Sequence, residues 1–198
     1  MRILRPEDFT TQRWKNGGGV THEVAREELP TADAPGAKMV WRLSIADVAS
    51  DGPFSLFPGY SRVLTVLEGP GMDLEHDGAS IQAMPLRPVA FSGDWNIEGR
   101  LVGGRPVRDF NLIFDPLRCD GSVVPVDEES AVPHCCPPVP GRTYALLCVS
   151  GATAAAADRD LFVPPLRPGE VALSDSFPAP LSPIPGFRAL LVILDRKG

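Results

Sequence analysis

Short runs of alternating apolar and polar residues, separated by prolines and glycines, recur along the whole chain. Val40–Val48, for example, places Leu43 and Ile45 on one face of an extended strand and Arg42 and Ser44 on the other. The same alternation, or a short unbroken apolar run, predicts a further strand that ends at Ile3–Leu4, and others at 20–25, 61–69, 72–75, 79–83, 85–91, 97–102, 107–114 and 189–194. Because 22 prolines and 19 glycines interrupt the chain throughout, long helices are excluded and an all-β fold is predicted.

Two parts of the chain repeat one pattern. Leu64–Gly69 followed by Pro85–Pro88 has a counterpart in Leu146–Gly151 followed by Pro165–Pro168, displaced by about 80 residues in each case. An apolar strand closes each copy, at 107–114 and at 189–194. The sequence therefore predicts two copies of one β unit.

The repeat sets the expected domain organisation. We expect a first unit at 1–118 that carries the ligand pocket, and a second, shorter unit at 142–198 that the N-terminal strands would complete. Between them, 119–141 is rich in proline and acidic residues and is predicted to be a linker. Residues 29–38 are predicted to form an irregular surface loop because they combine Pro30, Pro35 and Gly36 with small residues.

Composition narrows the class of protein. The 198 residues are 43% hydrophobic and 22% charged, with a net charge of −6, which is typical of a soluble globular protein. No apolar run is long enough for a membrane span, and the N-terminus has no signal-peptide pattern, so a cytoplasmic location and no membrane partner are expected. No cluster of Lys and Arg is present, and a nucleic-acid partner is not expected.

The cysteines and histidines do not form a recognisable metal motif. Four cysteines lack CxxC spacing and are expected to be reduced, with Cys148 buried in an apolar strand. The three histidines, His22, His76 and His134, are far apart, whereas a transition metal needs about three converging ligands. We therefore expect no metal and no cofactor, with His76 facing solvent in a turn and His134 beside Cys135 in an exposed loop.

The composition of Trp14–Glu23 is the least typical of a purely structural segment. Three consecutive glycines, Gly17–Gly19, indicate either a tight structural turn or a loop that comes close to a ligand, and the local chemistry leaves both interpretations open. In the second case successive backbone N–H groups, with Lys15, would form an anion-binding concavity. Thr21 and Glu23 follow on one face of the next strand.

The chain resembles the HutD/Ves family of cupin proteins in several motifs that occur in the same order, namely Trp14–Gly19 with Thr21 and Glu23, Trp41–Ser44, Gly52–Ser55, Phe57–Gly59 with Arg62, Phe91–Asp94 and Asp109–Asn111. The resemblance implies an RmlC-like bicupin, in which two jelly-roll cupin β-barrels pack in one chain with few short helices. It also implies an accessory or regulatory role, encoded in many bacteria with histidine-utilisation genes. A proposed role for such proteins is to sense a histidine-breakdown intermediate such as formylglutamate.

A barrel mouth with several cations favours the binding of a small anionic metabolite, and Arg42 and Arg62 would each clamp a carboxylate. The residues predicted to bind it are Lys15, Asn16, Gly17, Gly18, Thr21, Glu23, Arg42, Ser44, Phe54, Arg62, Asp94 and Asn111. The structural alternative is that Arg42 pairs with Glu23 or Asp94 and only compensates buried charge. The two alternatives do not exclude each other, because Arg42 can form such an ion pair in the ligand-free protein and still bind a ligand.

Other functions stay open at this point. Glu23, Asp94 or Asp109 would serve as acid or base if the protein were a cupin isomerase or hydrolase. Nucleophilic catalysis is disfavoured, because no Gly-x-Ser-x-Gly motif is present. An interaction protein acting through a partner enzyme or regulator is a third class, and a homodimer is also left open. Metal-free ligand binding is the leading hypothesis, and catalysis is not expected.

Overall fold

The computed structural model describes residues 1–30, 37–127, 136–151, 153–154, 165–177, 182–183 and 185–198. Helical structure in these ranges is confined to two short 3-10 turns, Pro6–Asp8 and Val102–Gly104. None of the helical segments described there is long and apolar enough to cross a membrane. The strands are β1 (Arg2–Leu4), β2 (Thr10–Arg13), β3 (Gly19–Pro30), β4 (Ala37–Val48), β5 (Gly52–Pro53), β6 (Ser61–Glu68), β7 (Met72–His76), β8 (Ala79–Ala83), β9 (Val89–Ser92), β10 (Glu98–Leu101), β11 (Val107–Phe114), β12 (Cys119–Asp127), β13 (Arg142–Ser150), β14 (Thr153–Ala154), β15 (Val171–Ser174), β16 (Ser182–Pro183) and β17 (Arg188–Arg196).

The chain divides into two compact units. The first unit is Phe9–Asp120, and the second unit combines Met1–Asp8 with Gly121–Gly198. The first unit contains a six-stranded sheet in the order β2-β3-β4-β11-β6-β9 and a four-stranded sheet in the order β5-β10-β7-β8. The paired strands of both sheets run antiparallel. The prediction of a mostly β protein is therefore confirmed.

Register in the six-stranded sheet brings polar side chains of three strands together. Asn111 on β11 lies opposite Ser44 on β4, and Ile113 lies between Arg42 on β4 and Arg62 on β6. Because side chains alternate between the two faces of a strand, these positions and Asp109 share one face. A register shift between Arg108 and Asp109 accompanies the start of this polar stretch.

The same face becomes apolar toward the other end of the strands. Ala46 and Val48 on β4, and Leu64 and Val66 on β6, lie in a buried cluster that includes residues of β7, β8 and β10. The full buried cluster is Ala46, Val48, Leu64, Val66, Met72, Leu74, Ala83, Phe91, Ile97, Leu101 and Val107. The core of the first unit thus ends where the polar positions begin.

The second unit is built on a five-stranded sheet in the order β1-β15-β13-β17-β12, with a separate pair β14-β16. Its core includes Tyr144, Leu146, Cys148, Phe177 and Phe187. In this sheet β13 lies between β15 and β17, and in the first unit β6 lies between β9 and β11. The shared order agrees with the repeat read from the sequence.

Several predicted boundaries differ in the structure. The predicted linker 119–141 begins with strand β12, and the predicted strand at 85–91 begins only at Val89. The predicted loop 29–38 is shorter, because β3 extends to Pro30 and β4 starts at Ala37. Its centre at 31–36, like His134 and Cys135, lies outside the described residues.

The large sheets of the two units end in open edges. Within the described ranges the hydrogen-bonded order of the six-stranded sheet runs from β2 to β9, and that of the five-stranded sheet runs from β1 to β12. Neither order returns to its first strand, so a closed barrel is not seen in this part of the chain. The predicted hairpin around Asp77–Gly78 is present, with both residues at positive φ.

Candidate ligand-binding site

A pocket of about 530 Å³ opens at the polar end of the six-stranded sheet in the first unit. Its lining consists of Gln12, Arg13, Trp14, Lys15, Asn16, Thr21, Arg42, Ser44, Ala46, Pro53, Phe54, Ser55, Phe57, Arg62, Asp109, Asn111 and Ile113. Eight of the twelve residues predicted to bind a ligand are in this lining, namely Lys15, Asn16, Thr21, Arg42, Ser44, Phe54, Arg62 and Asn111. Gly17, Gly18, Glu23 and Asp94 are not.

Arg62 is the most deeply buried cation of the pocket, with 5% of its surface exposed. Its guanidinium carbon lies 5.2 Å from the ring centre of Phe54, 5.4 Å from that of Phe57 and 5.0 Å from that of Phe91. Burial lowers the pKa of Arg62 to about 10, and nearby Asp109 opposes this effect. Arg62 therefore stays charged at neutral pH in an aromatic cage formed by these three rings.

Two glycines, Gly93 and Gly99, allow the residues of this cage to pack closely. A Cβ added at Gly99 on β10 would lie 2.7 Å from Cε2 of Phe54. A Cβ added at Gly93 would collide with the carbonyl oxygen of Phe57. Glycine at 99 therefore makes room for the ring of Phe54, and glycine at 93 makes room for the loop that carries Phe57.

Asn111 connects Arg62 to a second buried charge. Arg62 donates from Nη2 to Oδ1 of Asn111 at 2.8 Å and from Nη1 to the carbonyl oxygen of Ser55 at 3.2 Å. Nδ2 of Asn111 in turn donates to Oδ1 of Asp109. The amide orientation follows from this chain, because only the oxygen of Asn111 accepts and only its nitrogen donates.

Asp109 is completely buried at the floor of the pocket. Burial raises its pKa to about 7, against the attraction of Arg62 and with a smaller contribution from Asp47. Oδ2 of Asp109 and Nε of Arg62 are both buried and have no hydrogen-bond partner among the described residues. The floor thus holds an open acceptor and an open donor, which carry a desolvation cost until a ligand or water pairs with them.

Arg42 forms an ion pair with Glu23. Its Nε lies 2.9 Å from Oε2 of Glu23, although the two atoms are not aligned as a hydrogen bond. Glu23 also lies 3.6 Å from Arg26. Glu23 therefore occupies the predicted face of β3 but supports Arg42 from outside the lining, as the structural alternative predicted.

Gly17–Gly19 form a turn that packs against Trp14. Gly17, at φ 72°, donates its N–H to the carbonyl of Trp14 at 3.1 Å, and Gly18 donates to Oδ1 of Asn16 at 3.0 Å. A Cβ at Gly19 would lie 3.1 Å from the ring of Trp14, whose Nε1 donates to Thr21 at 2.8 Å. Because the Gly17 and Gly18 amides bond within the loop, the predicted anion-binding concavity does not form from them.

Asp94 lies in an exposed turn away from the lining. Its carboxylate accepts from the backbone N–H of Gly59 at 2.9 Å and from the hydroxyl of Ser92 at 3.0 Å. Asp94 therefore fastens the Phe57–Tyr60 turn to the end of β9. This structural role explains its presence without a ligand.

Sequence reasoning left several lining residues out of the predicted site. Asp109 and Phe57 belong to the motifs that carried the family resemblance, and Asp109 is two positions from Asn111 on the same strand face. The alternation of side chains along this strand could therefore have identified Asp109 as a lining residue. Gln12 and Arg13, on edge strand β2, had no comparable signal.

The described histidines lie outside the pocket. His22, on the opposite face of the sheet, is 2.9 Å from the hydroxyl of Thr11 and 3.1 Å from Asp47. His76 stacks on Trp95 with ring centres 4.7 Å apart, so it is more covered than predicted.

The described ranges contain no group of three His, Cys, Asp or Glu side chains placed to hold a metal ion. Cys119, Cys136 and Cys148 are buried, which confirms the prediction that Cys148 lies buried in an apolar strand.

Comparison with known proteins finds one matching family and several proteins of similar sequence or structure. A family model described as HutD matches residues 6–177. An uncharacterised 21.2 kDa protein in the hutC 3′ region of Pseudomonas putida is 45% identical over 119 residues, which are 60% of this chain and only 60% of that protein. Among solved structures, a conserved protein of unknown function from Pseudomonas aeruginosa PAO1 has a TM-score of 0.75 and 30% identity, covering 100% of this chain and 99% of that chain. HutD from Pseudomonas fluorescens SBW25 (formate condition) has a TM-score of 0.74 and 32% identity, with the same coverage.

Proposed function

We propose, since this chain belongs to the HutD family, that it is an accessory protein of histidine utilisation that binds a small carboxylate metabolite in the pocket of the first unit. The observation that carries the proposal is Arg62, a cation with 5% of its surface exposed whose Nε has no partner among the described residues. Burying such a donor is costly, and a carboxylate oxygen would compensate the cost. The relative named for its position beside hutC supports the metabolic context.

Charge balance in and around the pocket favours an anion. Among the described residues, Arg13, Lys15, Arg42 and Arg62 line it, whereas Asp109 is the one carboxylate of the lining. Even with Glu23 counted against Arg42, cations exceed carboxylates in a protein whose net charge is −6. Phe54, Phe57 and Trp14 supply apolar wall beside these cations. A dicarboxylate such as formylglutamate has the matching charge.

We also propose the finer architecture that the family resemblance implies, with each unit a metal-free cupin barrel. The equal strand order around β6 and β13 supports this arrangement. Positive φ at Gly69, after β6, and at Gly151, after β13, supports it further. A crystal structure of the full chain tests it, since hydrogen bonds closing each sheet are expected and two open sheets would contradict it.

Calorimetry with formylglutamate, urocanate, histidine and glutamate tests the binding function. Removing a charge-assisted hydrogen bond from a buried site weakens binding by roughly 10- to 100-fold, which is expected for Arg42→Ala and for Arg62→Lys. Arg108→Ala is the matched control, because Arg108 pairs with Asp47 and is absent from the pocket lining. Its affinity should equal that of the wild type. Absence of binding heat with all four compounds, or equal affinity in every variant, would contradict the proposal.

A second candidate, an isomerase or hydrolase, depends on Asp109 rather than on Glu23 or Asp94. Glu23 is engaged by Arg42 and Arg26, and Asp94 holds an exposed turn. Asp109 combines complete burial, pocket lining and a pKa near 7, which suits a general acid or base. Turnover of one of the four compounds by the wild type, lost in Asp109→Asn while binding persists, would establish this candidate over simple binding.

A further inference from the structure

We propose that the pocket takes up one proton together with its anionic ligand, and that Asp109 is the group that receives this proton. The inference rests on the proposed function, because it requires a carboxylate ligand near Arg62. It adds a second ligand, the proton, and assigns a residue to it.

The hydrogen bonds of Asp109 leave one position for a proton. Oδ1 accepts from Asn111, and the buried Oδ2 has no partner among the described residues. No part of the side chain is exposed, so water does not screen its charge. Its counter-charge, Arg62, is reached through Asn111 rather than by direct contact. The ionised carboxylate is therefore stabilised only weakly.

The charged groups around Asp109 come from every neighbouring strand. On β6, Arg62 is the main stabilising charge. On β4, Arg42 is already paired with Glu23 of β3, and Asp47 is paired with Arg108 and His22. Arg13 and Lys15 lie in the exposed part of the lining. Arg62 is thus the charge on which ionisation of Asp109 depends most.

A bound carboxylate would change this balance. Its negative charge neutralises the field of Arg62 at Asp109 and adds repulsion in a poorly screened cavity. The neutral carboxyl is then favoured, and a proton from bulk solvent binds Oδ2 while the ligand stays ionised. The supporting electrostatic observation is that the pKa of Asp109 already lies at about 7 without a ligand. A modest further increase therefore changes its protonation near neutral pH.

The sign of the pH dependence follows from linkage. The ligand-bound form has the higher pKa at Asp109, so affinity is greatest below the pKa of the free protein and falls as pH rises toward that of the complex. Formylglutamate has no group that titrates between pH 6.5 and 8.5, because carboxyl groups titrate at roughly pH 4. Any dependence in that window comes from the protein.

Calorimetry with formylglutamate in phosphate and in Tris at pH 7.5 counts the protons, since the two buffers have different ionisation enthalpies. We expect uptake of up to one proton per ligand, and an affinity that falls roughly tenfold between pH 6.5 and 8.5. Asp109→Asn should show equal heats in both buffers and a flat affinity. His22→Gln is the control, because the His22 imidazole lies against Asp47 on the opposite face of the sheet. It should keep the uptake.

Each outcome decides the inference. Binding with equal heats in both buffers and a flat pH profile would overturn proton uptake and leave the binding function intact. Loss of uptake in His22→Gln would overturn the assignment to Asp109. No binding at any pH would overturn the binding function and this inference together. If Asp109→Asn does not fold, equal heats in both buffers for the wild type would still overturn proton uptake, and loss of uptake in His22→Gln would still overturn the assignment to Asp109.

Discussion

Replacing Asp109 by Asn should change how the stability of the ligand-free protein depends on pH. Asn has nearly the same shape and can still accept a hydrogen bond from Asn111, but it does not ionise. In the wild type, burial raises the pKa of Asp109 from 3.8 to about 7. The folded protein therefore binds a proton at Asp109 more tightly than the unfolded chain does.

The magnitude follows from that shift. Each unit of pKa difference corresponds to about 1.4 kcal/mol, so Asp109 lowers the free energy of unfolding by roughly 3 kcal/mol as pH rises from 4 to 7. Roughly 2 kcal/mol of this loss falls between pH 5 and pH 7. Above pH 7 less than about 0.5 kcal/mol remains to be lost. Asp47 and Asp115, whose pKa values are lowered, act at more acidic pH.

Urea unfolding of both proteins at pH 5, 6, 7 and 8 measures the difference. We expect the wild type to lose stability relative to Asp109→Asn mainly between pH 5 and pH 7, and the two to change nearly in parallel from pH 7 to pH 8. Residues that are identical in the two proteins contribute equally, so their effects cancel in the comparison. Parallel curves over the whole range would refute the conclusion that Asp109 is a buried carboxyl with a raised pKa.

Four further substitutions test the packing of the first unit and the lining of its pocket. Gly99→Ala should crowd the ring of Phe54 and lower the free energy of unfolding by about 1–3 kcal/mol. Gly52→Ala, whose Cβ would come no closer than 3.8 Å to any neighbour, should cost less than half as much in the same urea assay. Leu74→Ala in the first core should cost about 2–5 kcal/mol, and a smaller loss would show that the core is looser than its burial indicates. Trp14→Phe should abolish any change in tryptophan fluorescence on ligand binding, since Trp14 alone among the tryptophans lines the pocket, and a persistent signal would contradict that placement.

Strands with a regular pattern were predicted well from the sequence. β4, β6 and β11 lie where alternation or an apolar run placed them, because one buried face imposes a period of two on the side chains. The predicted loop at 29–38 was too long for a different reason. Pairing between β3 and β4 continues to Pro30 opposite Ala37, and a proline is tolerated at the end of a strand, where no further ladder bond is needed.

The candidate site was predicted in part. Arg42, Arg62 and Lys15 stood out because they are cations within the motifs that carried the family resemblance. The sequence could not show which of Asp94 and Asp109 lines the pocket, because their surroundings are set by tertiary structure. One carboxylate meets the backbone of a neighbouring turn, whereas the other is sealed beneath Arg62 and Asn111. Burial of this kind depends on strands that are distant in sequence.

The aromatic cage also has an evolutionary consequence. The ring of Phe54 fits because position 99 has no side chain, and the loop that carries Phe57 fits because position 93 has none. Among relatives, positions 54 and 99 are therefore expected to change together, whereas glycine at 93 should persist whatever residue stands at 57, because its close neighbours are backbone carbonyls. A lineage that gains a side chain at 99 should carry a smaller residue at 54, and its cation at 62 would then be surrounded by fewer rings. Variation at Gly99, which does not itself line the pocket, would thus record changes in what the pocket binds.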